Sequence, residues 1–132
     1  MRKLIFIIVL FFSTSVFATN QSLLTINVIK LYVEENSTKI SYELKNGYTK
    51  LIKLADSRVY VEDLLGEDIM TFKAHKDLYL NPNETRIFDH NFFTSGLSSH
   101  KRLKIIKFED LVFEFEVNKI IFEDNEIIDF EE

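Results

Sequence analysis

The chain has 132 residues with 21 acidic and 16 basic side chains, a formal net charge of −5, and no cysteine. That length predicts one domain after any leader is removed, and the absence of cysteine excludes disulfides and thiolate metal sites. An acidic chain without a basic stripe argues against nucleic acid and anionic membranes, which are bound through clustered Lys and Arg.

The N-terminus has three zones. Arg2 and Lys3 precede an unbroken apolar run from Leu4 to Phe12, Ser13-Thr14-Ser15 restores polarity, and Val16-Phe17-Ala18 offers compact side chains where a signal peptidase reads. The pattern predicts a secretory signal peptide over residues 1–18, cleaved after Ala18, and a periplasmic or secreted chain beginning at Thr19. A membrane span needs about 20 apolar residues, so an uncleaved anchor is the weaker reading and no stable membrane insertion is expected after cleavage. The short, weakly basic signal fits a Gram-negative source better than a Gram-positive one. Cleavage takes the net charge to −7, with residues 109–132 at −9 and residues 19–108 at +2.

Period-two alternation dominates the remainder. Leu24, Ile26 and Val28 share one face while Ile29, Leu31 and Val33 share the other, a phase change that predicts a β-bulge or a strand buried on both faces. After an Asn36-Ser37 turn, Ile40, Tyr42 and Leu44 form a half-buried strand, and Asn46-Gly47 predicts a tight turn with positive φ. Leu51 to Val61 reads as one long or two short strands, and Asp63 to Glu67 as a turn. The return strand spans Ile69 to Ala74, and Asp63 to Met70 is the lone helix candidate, weakened by Gly66.

A strand at Leu78 and Leu80 closes at Asn81-Pro82-Asn83, and Thr85 to Phe93 is a further strand. Residues 94–100 read as the longest loop and Leu103-Lys104-Ile105 as strand. Leu111, Phe113, Phe115 and Val117 then alternate with Glu114, Glu116 and Asn118. Ile120-Ile121-Phe122 follows, before an Asp124-Asn125 turn and a tail that pairs weakly or frays. Seven to nine short, regularly spaced strands predict an all-β fold over residues 19–132, a two-sheet antiparallel sandwich or a small barrel.

Three stretches together resemble small bacterial Ig-like domains of the FxLYD type. Residues 40–46 resemble that family's first core strand, which ends in asparagine. Val59 to Asp63 with Gly66 resembles its strand-Asp-x-x-Gly segment, without the Leu-Tyr-Asp of the name. Leu78 to Thr85 resembles its Leu-x-Pro-Gly-Glu turn, with asparagine in place of glycine. The resemblance covers about residues 38–93 and implies an antiparallel β-sandwich of Ig-like type with a binding or scaffolding role and no catalytic residues.

Side chains with chemical potential are scattered. His75, His90 and His100 lie on separate segments without metal-ligand spacing. Asp89-His90 with Ser95, Ser98 or Ser99 has hydrolase residue types but no Gly-x-Ser-x-Gly elbow. Carboxylate pairs recur at residues 34–35, 62–63, 67–68, 109–110 and 123–124, and acid–base work needs environments that split their pKa values. Glu123 to Glu126 clusters oxygen ligands without the alternating geometry that wraps Ca²⁺, so a solvated turn is the expectation and no cofactor or metal is assigned. Three Asn-x-Ser/Thr sequons, at Asn20, Asn36 and Asn83, are idle in a bacterial protein.

These readings predict a non-enzymatic exported domain that binds another protein. Its contacts are expected from Phe92 and Phe93, beside the loop, and from Glu114, Glu116, Glu123, Asp124 and Glu126, which would steer a basic partner. Phe130 in the tail is a further candidate for exposure. The alternative is an inhibitor or immunity factor against a basic envelope enzyme or toxin.

Overall fold

The structure is a computed structural model and describes residues 17–18, 21–93 and 98–131. In chain order the strands are β1 (Phe17–Ala18), β2 (Leu24–Val33), β3 (Ser37–Asn46), β4 (Ile52–Glu62), β5 (Asp68–Lys73), β6 (Asp77–Leu80) and β7 (Thr85–Phe93). Helix α1 (Ser98–Ile105) and a 3-10 turn (Phe108–Asp110) then lead into β8 (Val112–Phe122) and β9 (Ile127–Asp129). Two sheets face each other, as the alternation predicts. The first is an antiparallel β2-β3-β7 sheet; the second is built on the β4·β8 pair. β5 and β6 both pair with β4, and β1 and β9 both pair with β8.

The alternation on β3 buries Thr38, Ile40, Tyr42, Leu44 and Asn46 and turns Lys39, Ser41, Glu43 and Lys45 outward. Opposite them, Val59 and Val61 of β4 and Phe113, Phe115 and Val117 of β8 complete a continuous core. The phase change on β2 is a bulge, between Val28 and Lys30, so that Leu24, Ile26, Val28 and Leu31 all reach the interior. A second bulge opposite Asp56 and Ser57 takes up Asn118, which lets Val117 and Ile120 both be buried within one strand of 11 residues.

Three expectations are corrected. Residues 98–105, expected as loop and then strand, form α1, in which Leu103 is buried while Lys101, Lys104 and Ile105 stay in water. Among its described side chains, one buried leucine beside three cations suits a helix better than a half-buried strand. The helix candidate at 63–70 is instead a turn followed by β5, because Gly66 takes φ 83°, the left-handed conformation that stops a helix. Finally, Asn46-Gly47 is not a positive-φ turn.

Asn46 is instead fully buried and ties three segments together. Its Nδ2 donates to the carbonyls of Lys50 at 2.8 Å and Leu80 at 2.9 Å, and its Oδ1 accepts from the N–H of Tyr48 at 2.8 Å. Gly47 is needed for close approach. Its N–H donates to the Leu23 carbonyl at 2.9 Å, and a Cβ there would stand 2.8 Å from the same oxygen.

β1 is the one parallel strand: Phe17 lies in register with Glu114 and Ala18 with Phe115. The last two residues of the predicted export signal are therefore part of the second sheet.

Candidate functional site

β4 pairs with β8 from Ile52 opposite Phe122 to Glu62 opposite Val112, which gives the second sheet two ends roughly 30 Å apart at strand rise. At the Glu62 end the chain turns through Asp63-Leu64-Leu65-Gly66-Glu67. The Asp63 carboxylate organises this turn. Its Oδ1 accepts from the N–H groups of Leu65 and Glu67, each at 2.9 Å, and the Gly66 N–H closes on the Asp63 carbonyl at 3.0 Å. Asp63 Oδ2 meets the Arg102 guanidinium of α1 at 2.9 Å, and a second guanidinium nitrogen reaches Glu67 at 3.1 Å. The N–H of Glu67, then the Arg102 charge and the N–H of Leu65, hold the Asp63 carboxyl below its usual range.

Because Asp63 faces inward, the two leucines at the tip of the turn have nowhere to go but outward. Leu64 is 65% and Leu65 89% exposed, and Ile105 on the facing end of α1 is 80% exposed. With half-buried Ile106 they line a cleft of about 390 Å³, rimmed by Lys107 and Asp110. Isolated exposed aliphatics are ordinary, but here three converge on one cleft beside the Asp63–Arg102 ion pair. The site has no acid, base or nucleophile directed into an enclosed space. What it can do is exclude water against an apolar partner surface.

A second feature lies along the seam between β7 and β5. Half-buried Phe88, His90 and Phe92 project from β7 toward Phe72 of β5, with His75 stacked on Phe88 at 4.7 Å. Tyr42 is the centre of this cluster. Its hydroxyl accepts from the His75 N–H at 2.9 Å and lies 3.2 Å from His90 Nε2, and burial pushes its pKa up to about 12. Burial, and then the charge of His75, push the pKa of His90 down against the opposing pull of Asp89.

The residues singled out in the sequence fall in separate places. Phe92 is in the aromatic seam, 5.1 Å from Phe72 between ring centroids. Phe93 is the last residue of β7, in register with Ser37, and its side chain lies outside the described residues. Glu114 is buried on β8, and Glu116 is half-buried, accepting from the Tyr60 hydroxyl at 2.8 Å. Glu123, Asp124 and Glu126 are exposed at the far end of the sheet, where Lys50 pairs with Asp124 at 2.9 Å and with Glu126. Hydrogen bonds from Lys50 and the Glu126 N–H hold the Asp124 carboxyl low. No group of three or more ligating side chains that would hold a metal ion occurs among the described residues, at this turn or elsewhere.

Asp89 and His90 point to opposite faces of β7, Asp89 to the Ser41 hydroxyl and His90 to Tyr42, so alternation separates these two hydrolase-type residues. Ser95 lies outside the described residues, as do the side chains of Ser98, Ser99 and His100. The cleft residues Leu64, Leu65, Ile105 and Ile106 were not picked out from the sequence. The available signal was two leucines between an aspartate and a glycine, a spacing that puts both at the tip of an Asx-type turn.

No helix among the described residues is long and apolar enough to cross a membrane. No family model, curated protein or solved structure matches the chain.

Proposed function

We propose that the chain is an exported, non-enzymatic protein-binding domain of the bacterial envelope, acting through contact with another protein. The observation that carries this reading is the aliphatic cleft of Leu64, Leu65 and Ile105. Burying a leucine or isoleucine side chain contributes about 1.5–3 kcal/mol, so three largely exposed ones are a standing cost that a partner surface removes. Export is supported by the charged, apolar and compact zones of residues 1–18.

A photo-crosslinking residue placed at Leu65 or Ile105 in producing cells tests the reading, with Tyr79 as control. Tyr79 is 56% exposed on β6, which pairs with the opposite end of β4. The expected result is one discrete adduct from positions 65 and 105 in the envelope fraction, absent from position 79 and abolished by Leu64→Glu. Equal adducts from all three positions, or none, would refute a dedicated surface.

A further inference from the structure

The outward face of the β2-β3-β7 sheet carries a groove that shares no residue with the aliphatic cleft. Register sets its side chains in rows: Lys30, Ser41 and Asp89 cross the sheet in one, and Tyr32, Lys39 and Asn91 in the next. All six line the groove, whose volume of about 430 Å³ falls within the range of about 300–1,000 Å³ for small-ligand sites. The β2 bulge between Val28 and Lys30 lies at its margin, an irregularity that raises local twist and re-aims side chains. Ser41, the shortest of the six, sits on the middle strand and leaves the depression that the longer Lys30, Tyr32 and Lys39 border.

The chemistry of the groove is mixed and balanced. Lys39 meets Glu34 at 3.6 Å, Ser41 donates to the Asp89 carboxylate, and Lys30 Nζ lies 5.4 Å from the centre of the Tyr32 ring. Lys30 and Lys39 therefore stand against Glu34 and Asp89, so an ionic ligand of either sign meets its own charge as readily as its opposite. Exposed ion pairs of this kind are weak and readily exchanged for hydrogen bonds to a ligand. What the groove offers is donors from lysine, an acceptor carboxylate on Asp89, both kinds of group on Asn91, and a tyrosine ring 42% exposed. A purely apolar ligand would leave those polar groups unmatched.

We infer that this groove is a saccharide site, and that its ligand is a neutral sugar, mono- or disaccharide in size, with one ring laid on Tyr32. Sugar hydroxyls both donate and accept, so one ligand satisfies lysine, aspartate and asparagine together. The C–H face of a pyranose is apolar and weakly positive, which suits the negative face of an aromatic ring. The same outward face continues toward Asn46, where Thr25, Asn27 and Thr85 line a smaller depression of about 150 Å³. Hydroxyl and amide groups recur there with one charge of each sign, Lys45 and Glu43, so a longer neutral glycan has a continuing track.

The test titrates isotope-labelled protein, recovered from the envelope fraction, with maltose, cellobiose and N,N′-diacetylchitobiose, and separately with inorganic phosphate and digalacturonate. The expected result is a saturable shift of the Lys30, Tyr32, Lys39, Ser41, Asp89 and Asn91 amides with at least one neutral disaccharide, and none with either anion. Tyr32→Ala should weaken binding about tenfold or more, and Tyr32→Phe by less than about threefold, because the ring rather than the hydroxyl carries the stacking. Asn91→Ala, at an exposed position, should weaken it about threefold with the melting temperature within about 2 °C of wild type.

The inference is overturned if no neutral disaccharide shifts these amides, or if folded Tyr32→Ala and Asn91→Ala both bind as tightly as wild type. Binding of phosphate or digalacturonate alone would make the groove an ion site and overturn it equally. So would a discrete protein adduct from a photo-crosslinking residue at Tyr32, which would make this face a protein interface. The adducts from positions 65 and 105 are measured separately, so either outcome leaves the cleft to its own test.

Discussion

Asn46 gives the sharpest test of how this cysteine-free domain holds its two sheets in place. The side chain is fully buried and makes three hydrogen bonds, two donated to the carbonyls of Lys50 and Leu80 and one accepted from Tyr48 N–H. Its backbone also accepts from the Asn83 N–H at 2.7 Å and donates to the Glu84 carbonyl at 3.1 Å, so β3, the β3–β4 link and the β6–β7 turn meet at one residue. Asn46→Ala deletes three bonds of about 1 kcal/mol each and strands their partners, for a total of about 3–4 kcal/mol. Against a typical stability of about 5–15 kcal/mol for a domain this size, the urea midpoint should fall by roughly a fifth or more. Asn46→Asp separates hydrogen bonding from volume. Its carboxylate still accepts from Tyr48 but faces two carbonyls, so at pH 7 it should be at least as unstable as Asn46→Ala, and protonation at acid pH should narrow the deficit. Urea unfolding at pH 7 and pH 4.5 measures both effects. A loss under 1 kcal/mol for Asn46→Ala, or a deficit for Asn46→Asp that does not shrink relative to wild type on acidification, would refute the hydrogen-bond account.

Gly47→Ala should cost about 1–3 kcal/mol by forcing β2 away from a Cβ that would otherwise lie 2.8 Å from the Leu23 carbonyl, read as a lower melting temperature. His90 has its pKa lowered in the folded state by burial and by His75, so the unfolded chain takes up its proton first as pH falls. Its contribution is therefore full above pH 6.5 and is lost progressively below it, and His90→Phe should flatten the fall of stability with pH that begins near 6.5. Leu65→Glu should leave the melting temperature within about 2 °C of wild type, because the side chain is 89% exposed, while removing the crosslinked adduct. Arg102→Gln should free the α1 end from the Asp63 turn, detected as faster amide exchange at Leu65 and Glu67 with the core strands unchanged.

Strand positions were legible because β3 and β7 write their burial directly into a period of two, and β8 writes its apolar residues Phe113, Phe115 and Val117 the same way. Even the bulge on β2 was visible as a slipped phase between Val28 and Leu31. α1 was not legible. Its one buried aliphatic, Leu103, sets no period, and what places the helix is a contact with Asp63, 39 residues earlier in the chain. Asn46 shows the same limit in another form. Asn-Gly signals a turn when local backbone preference decides, and here a distant carbonyl on Leu80 decides instead. The cleft was missed for a related reason: a hydrophobic residue in sequence is assigned to the core by default, and only the inward Asp63 carboxylate sends Leu64 and Leu65 outward.

The acidic excess of the last 24 residues carries a different lesson about reading charge along a chain. A sum over sequence treats Glu114, Glu116, Glu123, Asp124 and Glu126 as one surface, but β8 is about 30 Å long and separates them toward two ends of the sheet. At the far end Lys50 and Lys53 come from the β3–β4 link and β4 to meet Asp124, Glu126 and Asn125, so that turn is largely neutralised by its own fold. At the near end exposed Glu109 and half-buried Asp110 share the approach to β8 with the aliphatic cleft, which Asp110 also lines. Charge that steers a partner is useful only where an apolar surface can then hold it. That coincidence exists at the Val112 end of the second sheet, where β1 lies in register with Glu114 and Phe115.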